Sequence, residues 1–568
     1  MQSLLLASKA ICQGLQSGQI GNPVSVRLIN QDCSEPLETS IPGSLDHVCL
    51  WMGHSPNAVL AMRYPQTNSL SIHLQFPDGQ MALLSIGTTP GDWNTFEVIV
   101  VGNQGLLTWE PDTVSQPPCD DETDNIKPIG KTLLPAIEQS LVSGRVVRLD
   151  NSGQWTTSPQ KTSTSAVTHS IPASDQPLTP VTTVRPTKPP YGVLLIAGAH
   201  THQENYAVAL AEDPRCQLIG LTDEPGITER RARLNQQLAD KLHIPLIPDI
   251  DRALTSTDVH IVSICTEPER RSRIAVRCAQ AGKHLYLDKP MATSHVEAEQ
   301  IVSAAEQNGV LSHMFSQIHT TFASQVKSVL DSSLIGDLRE IHCDLFFAKG
   351  HTGTALLGKP RLESVDPKEF EIIDSKRELF NIGIYPLALV RWLTGLDVVR
   401  VYARTANFFF HEYQKNNMED YAEVMLGLTG GLLVTLAVGR TGWKSHPMGA
   451  FNRTTLIGTH ATACIDASRP RLATWSSQPD WHPPERNAED PMGFWSSTQE
   501  AVDIQPRNAW IASRSTACGD ARHFIDCVEA GKPSDVSARE AAHSVRTLLA
   551  AYKSAATGEV VELNHTAS

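Results

Sequence analysis

Between residues 191 and 316 short runs of apolar, β-forming residues alternate with helical stretches, and no other feature constrains the chain as much. The runs are Val193–Ile196, Leu218–Thr222, Val259–Cys265, His284–Leu287 and Val310–Phe315; between them lie Glu204–Glu212, Gly226–Leu242, Pro268–Ala281 and Ser294–Asn308. Ser294 and Glu297 have capping-box spacing, and Gly309 stands where a helix end accepts either handedness. Strands separated by helices at this spacing predict a doubly wound parallel sheet, an α/β unit that takes ligands at the carboxyl edge of its strands.

The order changes after residue 316. A helical stretch over Ala323–Asp331 precedes strand-like runs at Leu338–Phe347, Asp397–Phe410, Tyr421–Leu428, Leu432–Gly439 and Asn452–Gly458, with helices over Pro386–Leu393 and near 519–530 and 538–556. This pattern predicts an α+β domain on an open, largely antiparallel sheet over 317–568. From Asn151 to Pro190, 22 of 40 residues are Ser, Thr or Pro; with so few large apolar side chains to bury, 151–190 is expected to be an extended linker.

The remaining unit, 1–150, echoes the α+β domain. Residues 15–26 read against 330–341, 74–84 against 426–436, 101–108 against 457–464 and 140–149 against 554–563. Four blocks in one order mark a duplication and predict a second, degenerate α+β sheet domain at the N-terminus. Gly21 and Gly79 are 58 residues apart where Gly336 and Gly431 are 95 apart, so the N-terminal copy is 37 residues shorter there.

At 568 residues the chain is too long for one hydrophobic core. Its 47 basic and 61 acidic residues give −14, the wrong sign for a partner of nucleic acid or anionic membrane. No apolar stretch approaches the roughly 18 residues of a membrane span. Lys9 follows the apolar run Leu4–Ala7 instead of preceding it, so the start reads as a helix and not as a secretory signal. The 11 cysteines are scattered, with no CxxC pair, and no histidine cluster is flanked by carboxylates. A reduced, cytoplasmic setting and no metal are the expectation.

The loop after the first strand of the α/β unit reads Ile196-Ala197-Gly198-Ala199-His200-Thr201-His202-Gln203. A dinucleotide loop uses three glycines, for a sharp turn, for approach of the pyrophosphate and for helix packing. Only Gly198 is present; His200 and Gln203 take the other two places. Asp223 ends the second strand, 25 residues after Gly198. A carboxylate there accepts hydrogen bonds from a ribose diol and repels a 2′-phosphate, which prefers NAD over NADP.

Ser263-Ile264-Cys265-Thr266-Glu267-Pro268 and Ala281-Gly282-Lys283-His284-Leu285-Tyr286-Leu287-Asp288-Lys289-Pro290 resemble the glucose-fructose oxidoreductase/inositol dehydrogenase family, Gfo/Idh/MocA, whose signature is AGKHV-x-x-EKP. Asp288 replaces the usual Glu. The resemblance extends over 191–568 and implies a Rossmann-type domain at 191–316 followed by the family's substrate and oligomerisation domain at 317–568. It further implies that Gly198, His200, Thr201, His202, Asp223, Thr266, Asp288, Lys289 and Pro290 hold NAD, with Lys289 near nicotinamide and substrate and the Lys289–Pro290 bond cis. An ammonium beside a cationic nicotinamide should have a depressed pKa, suited to handling an alcohol proton.

The family's second motif, D-x-G-x-H, reads here Asn381-Ile382-Gly383-Ile384-Tyr385. Members resembling glucose-fructose oxidoreductase carry Tyr in the His place, which implies that Tyr385 and Lys289 manage the proton, the phenol being lowered by Lys289, while Asn381 orients substrate. Arg377 with Glu378, Arg271, and the loop residues Trp443, Lys444 and His446 are further polar candidates, each equally readable as a structural residue. The implied activity is NAD-dependent hydride transfer to or from a secondary alcohol of a sugar, cyclitol or sugar derivative. Two alternatives stay open: a non-catalytic sensor, given the eroded glycine loop and Asn381, and a glycosidase using tightly held NAD.

Residues 1–150 contain no glycine loop and no EKP-like segment, and the shortening removes any counterpart of Asn381–Tyr385, so this copy should be catalytically empty. Family members often dimerise through their open C-terminal sheets, so the extra sheet is expected to form an intramolecular pseudo-dimer; a homo-oligomer stays open. Its first residues align with the start of a C-terminal domain, as if a dinucleotide domain once preceded Met1.

Overall fold

The computed structural model describes residues 2–18, 20–32, 35–63, 69–88, 94–111, 128–157, 188–196, 202–347, 354–363, 377–442, 450–466, 471–476, 508–511 and 519–563. Gly198, His200, Thr201, Trp443, Lys444, His446 and most of the expected linker lie outside them.

The first unit carries an eight-stranded sheet: β1 (Pro23–Gln31), β2 (Ala58–Arg63), β3 (Ser69–Gln75), β4 (Met81–Gly87), β5 (Thr95–Gly102), β6 (Leu106–Trp109), β7 (Val147–Leu149) and β8 (Trp155–Thr157), in the order β6-β5-β1-β4-β3-β2-β7-β8. Helices Gln2–Gln16, Leu37–Met52 and Gly130–Ser143 pack their apolar sides against one face, where Leu45, Val48, Ile72, Leu84, Val98 and Ile137 meet. The helix Leu37–Met52 follows β1, in the stretch where the shortening was expected to leave no counterpart of Asn381–Tyr385. It carries Ile41 before Pro42, not a tyrosine.

The second unit is the parallel sheet: β9 (Tyr191–Ile196), β10 (Cys216–Thr222), β11 (Leu246–Ile247), β12 (Ile261–Ile264), β13 (His284–Leu287) and β14 (Ser312–Met314). Its order is β11-β10-β9-β12-β13-β14, every pair parallel. β9 is buried along its whole length, as a parallel strand with helices on both faces must be. The chain leaves β9 on one side for β10 and on the other for β12, which makes the carboxyl end of β9 the topological switch point, where such sheets bind ligands. The Ser294 hydroxyl and Glu297 form the expected capping box, and Gly309 has φ 60°.

The third unit is a nine-stranded sheet: β15 (Leu338–Phe347), β16 (Val398–Ala406), β17 (Tyr421–Leu428), β18 (Leu433–Arg440), β19 (Ala450–Gly458), β20 (Ala461–Asp466), β21 (Arg471–Ser476), β22 (Asn508–Ile511) and β23 (Val561–Glu562), ordered β22-β21-β20-β19-β15-β18-β17-β16-β23. Its centre repeats the first sheet strand for strand. β1 and β15 are each parallel to one neighbour, β4 and β18, and antiparallel to the other, β5 and β19. Helices Ile384–Thr394 and Ala538–Thr557 cover one face.

The opposite face meets the first sheet. Val24, Ile99 and Val101 pack with Phe346, Phe409 and Phe451, and Leu60, Met62 and Leu83 with Tyr402, Met425 and Leu433. Polar contacts cross the seam in matching places. The Ser25 hydroxyl donates to Glu423 and that of Ser85 to Glu340. Arg400 donates to the Gly144 carbonyl at 2.9 Å, and Arg148 to the carbonyl of Gly558; these two glycines close the helices Gly130–Ser143 and Ala538–Thr557 in the left-handed region.

Candidate active site

β13 delivers Asp288, Lys289 and Pro290 to the carboxyl edge of the parallel sheet, with the Lys289–Pro290 bond cis. Asp288 is buried. Its carboxylate accepts from the Tyr206 hydroxyl at 2.6 Å, from Arg271 at 3.1 Å and from His202 Nδ1 at 3.2 Å. Burial opposes its charge, but Arg271, His202 and Lys289 together hold the carboxyl well below the usual range. Arg271 is fully buried and also donates to the carbonyls of Thr266 and Pro290. It therefore ties the Asp288–Pro290 turn to the end of β12 and does not face substrate.

Lys289 Nζ donates to Asn381 twice, to Oδ1 at 2.6 Å and to the backbone carbonyl at 2.8 Å. It lies 5.1 Å from the ring centre of Tyr385. The two polar residues of the second motif arrive from consecutive short helices, Glu378–Ile382 and Ile384–Thr394, which join at Gly383. Lys289, Asn381 and Tyr385 are thus in contact although 92 residues separate the first two. Burial, with Asp288 and Asp520 adding to it, pushes the Tyr385 phenol well above its ordinary value. This corrects the expectation of a lowered phenol: desolvation outweighs the nearby ammonium.

Tyr385 meets Phe315 edge to face at 6.2 Å and lines an open cavity of about 300 Å³. Ser316, Gln317, Asn452, Thr454 and Asp520 bring polar atoms to its wall, and Phe315, Ile318, Leu345 and Leu389 apolar surface. Asp520 accepts from the backbone N–H groups of Ser316, Gln317 and His319, which fixes the loop forming one side of it.

Asp223 stands at the end of β10, but its carboxylate is fully engaged. Oδ2 accepts from Arg231 and from Asn235 at 2.9 Å; Oδ1 accepts from Arg270 at 2.9 Å and from the Glu224 N–H at 2.8 Å. Contact with a ribose diol therefore requires one of these donors, Arg270 being the most exposed, to give way. Glu267 shares the two arginines; burial would raise its carboxyl, yet Arg231 and Arg270 hold it at about 2. Thr266, by contrast, has a buried hydroxyl with no hydrogen-bond partner among the described residues. An orphaned hydroxyl at the switch-point edge of a parallel sheet fits a dinucleotide.

Arg377 and Glu378 do not pair with each other. Arg377 pairs with Glu363 and Glu419 and lies over the Tyr552 ring at 3.9 Å, whereas Glu378 pairs with Arg440. Sequence reading missed the work of Gln203, Tyr206 and Asp520. Gln203 fills the space a third glycine would leave, its amide bonding the Ser263 carbonyl at 2.8 Å and its oxygen accepting from the Ser263 hydroxyl. Two groups that could offer metal ligands also come together among the described residues: His202, Cys265 and Asp288, and His319, His523 and Asp535. Asp288 is already committed to Tyr206 and Arg271. The His319 and His523 rings stack at 3.6 Å with 14° between planes, so their in-plane lone pairs run nearly parallel and do not converge on one ion.

Residues 194–316 match the family model of the oxidoreductase family with an NAD-binding Rossmann fold, and 323–464 match the C-terminal domain of the same Gfo/Idh/MocA family. Over these two stretches the chain belongs to the Gfo/Idh/MocA oxidoreductases, with NAD as the cofactor of its Rossmann domain. It is 22% identical over 247 residues to the uncharacterized oxidoreductase YrbE of Bacillus subtilis, covering 43% of this chain and 66% of that one. Identity is also 22% over 260 residues to the dTDP-3,4-didehydro-2,6-dideoxy-alpha-D-glucose 3-reductase of Saccharopolyspora spinosa, covering 46% and 71%. The chain spans about half the length of further curated relatives of that name. Among solved structures, an NAD binding oxidoreductase from Klebsiella pneumoniae shares the fold, with a TM-score of 0.51, 17% identity and coverage of 66% of this chain and 99% of that one.

Proposed function

We propose that the chain interconverts a carbonyl and a secondary alcohol on a sugar, cyclitol or sugar derivative, with Lys289, Asn381 and Tyr385 as the groups around the reacting oxygen. The observation that carries this reading is the contact of Lys289 with Asn381 and Tyr385 beside a cavity of mixed polar and apolar lining, the surface a ring with several hydroxyls needs. The name of the Saccharopolyspora relative, a reductase of a deoxysugar, supports the same substrate class.

Bound NAD supplies the acceptor, and NADH the donor, of the hydride. Gly198, His200, Thr201, His202, Asp223, Thr266 and the Asp288–Pro290 turn are the residues to hold it. Tyr385, its phenol raised by burial, keeps its proton at neutral pH and serves as an acid: in the reductive direction its Oη gives that proton to the substrate oxygen as the carbonyl carbon gains the hydride. Lys289 donates a hydrogen bond to the same oxygen and offsets its growing negative charge. Solvent in the cavity then returns a proton to Tyr385.

The test has two arms. Melting is followed with NAD, NADH and NADP, where ligand at 100 times its dissociation constant stabilises by about 2.7 kcal/mol; the absence of any shift favours the sensor reading. A panel of keto-sugars with NADH, and of sugars and cyclitols with NAD, then reports turnover. Release of reducing sugar without net NADH favours the glycosidase.

We further propose that residues 1–150 serve as a built-in partner sheet. Support comes from the shared strand order of the two sheets and from the paired crossings at Gly144 and Gly558, equivalent positions whose carbonyls each accept from an arginine of the other unit.

A further inference from the structure

The amide of Asn381 is held between an ammonium and a buried carboxylate. Its Oδ1 accepts from Lys289 at 2.6 Å and its Nδ2 donates to Glu378 Oε2 at 3.0 Å. Glu378 is completely buried. Its other oxygen accepts from Arg440 Nε at 2.6 Å and from the Tyr413 hydroxyl. Glu378 and Asn381 stand three residues apart on one short helix, so their side chains share a face.

A primary amide has one accepting and one donating end, and here only one orientation is attractive on both sides. Turned over, Asn381 would set its NH₂ against the Lys289 ammonium and its oxygen against the Glu378 carboxylate. We propose that Glu378 is a positioning residue for the reaction proposed above: it locks the Asn381 amide with Oδ1 toward Lys289 and supplies, one amide away, the negative charge that keeps Lys289 an ammonium aimed at the substrate oxygen. The inference rests on that reading of the site. Other ionisable groups facing the array are Asp288 and Tyr385 beside Lys289, and Tyr413, Arg440 and Asp420 beside Glu378. Arg440 offsets part of the Glu378 charge; it donates chiefly to the other carboxylate oxygen, at 2.6 Å, and reaches the oxygen that Asn381 holds only at 3.5 Å.

One consequence separates this role from simple packing. The negative charge belongs on either Glu378 or Asn381, and not on both. Asn381→Asp alone sets two carboxylates about 3 Å apart, so that one must hold a proton. Glu378→Gln alone removes the charge and frees the amide to turn over. The double variant Glu378→Gln/Asn381→Asp returns one carboxylate to the array, directly against Lys289.

The full chain, labelled at the lysine ε-carbon, is titrated by NMR, with the Lys289 signal assigned from Lys289→Arg; this readout needs no substrate. Expected results are a lower titration midpoint for Lys289 in Glu378→Gln, recovery of that midpoint in the double variant, and, on whichever substrate turns over, a loss of about tenfold in kcat with little change in KM for each single variant. NAD-induced stabilisation should be the same in all three, which shows that the Rossmann unit is folded. An unchanged Lys289 midpoint in Glu378→Gln, or a double variant no better than the worse single one, overturns the proposal. If instead Lys289→Ala turns over as the parent does, the site assignment itself fails, whatever Glu378 does.

Discussion

Lys289 and Tyr385 carry the account at the scale of single residues. Replacing Lys289 with Ala or Tyr385 with Phe should each lower turnover by about 10²- to 10⁴-fold, the range for loss of a proton-handling group, with NAD-induced stabilisation retained; parent-like rates in both variants contradict the assignment. Asp223 makes a second claim. It balances Arg231 and Arg270, so Asp223→Ala should leave guanidinium charge facing the ribose and raise the NADP-to-NAD affinity ratio about tenfold or more. A titration with both cofactors checks this, and an unchanged ratio counts against it. Lys289 and Asn381 were legible because each stands in a short motif whose chemistry needs it. The partners of Asp223 were not, because Arg231, Asn235 and Arg270 come from two helices whose meeting only the fold decides. The direction of the Tyr385 shift was misread for a related reason: a sequence shows the nearby cation but not the burial that outweighs it.

At the scale of elements, the strand–helix alternation of 191–316 was open to reading, since parallel strands covered on both faces are unbroken apolar runs. So were the matching blocks of the two sheet units, and the fold shows why those blocks persist. A β-carbon on Gly102 would sit 2.1 Å from the Ile20 carbonyl oxygen, and one on Gly458 2.0 Å from that of Ile335; the same backbone crossing excludes a side chain in both units. Gly458→Ala should therefore cost about 2–4 kcal/mol, since a carbonyl held in its own turn cannot retreat, and Gly102→Ala a similar amount. Denaturant titration of the two variants measures it, and losses near zero would show the crossing to be soft. The helix Leu37–Met52 escaped notice because counting residues between glycines locates a deletion only roughly. The shortening falls instead in the connections: 5 residues lie between the end of β1 and its helix, against 30 between Phe347 and Glu378.

The whole molecule sets the sealed sheet face and the acid response. With its sheet face covered by residues 1–150, the chain should run as a monomer by light scattering under conditions where the enzyme turns over; a dimer joined through β15–β18 contradicts the built-in partner. Burial pushes His284, His319 and His342 down to about 4, with His260, His523 and Arg27 as the first neighbouring charges adding to it. The unfolded chain takes up protons at these sites below about pH 6.5 while the folded one does not. Stability is then complete above that pH and is lost as the pH falls toward 4. Melting followed from neutral to about pH 5 should show a steady decline, and a flat profile would mean these imidazoles are not neutral in the fold. The central claim is the oxidoreductase site itself, and the direct measurement is the initial rate of NADH loss with a panel of keto-sugars, run beside Lys289→Ala and Tyr385→Phe. Consumption of NADH by at least one keto-sugar is expected, abolished or severely reduced in both variants; consumption that survives in both would show that Lys289 and Tyr385 do not carry the reaction.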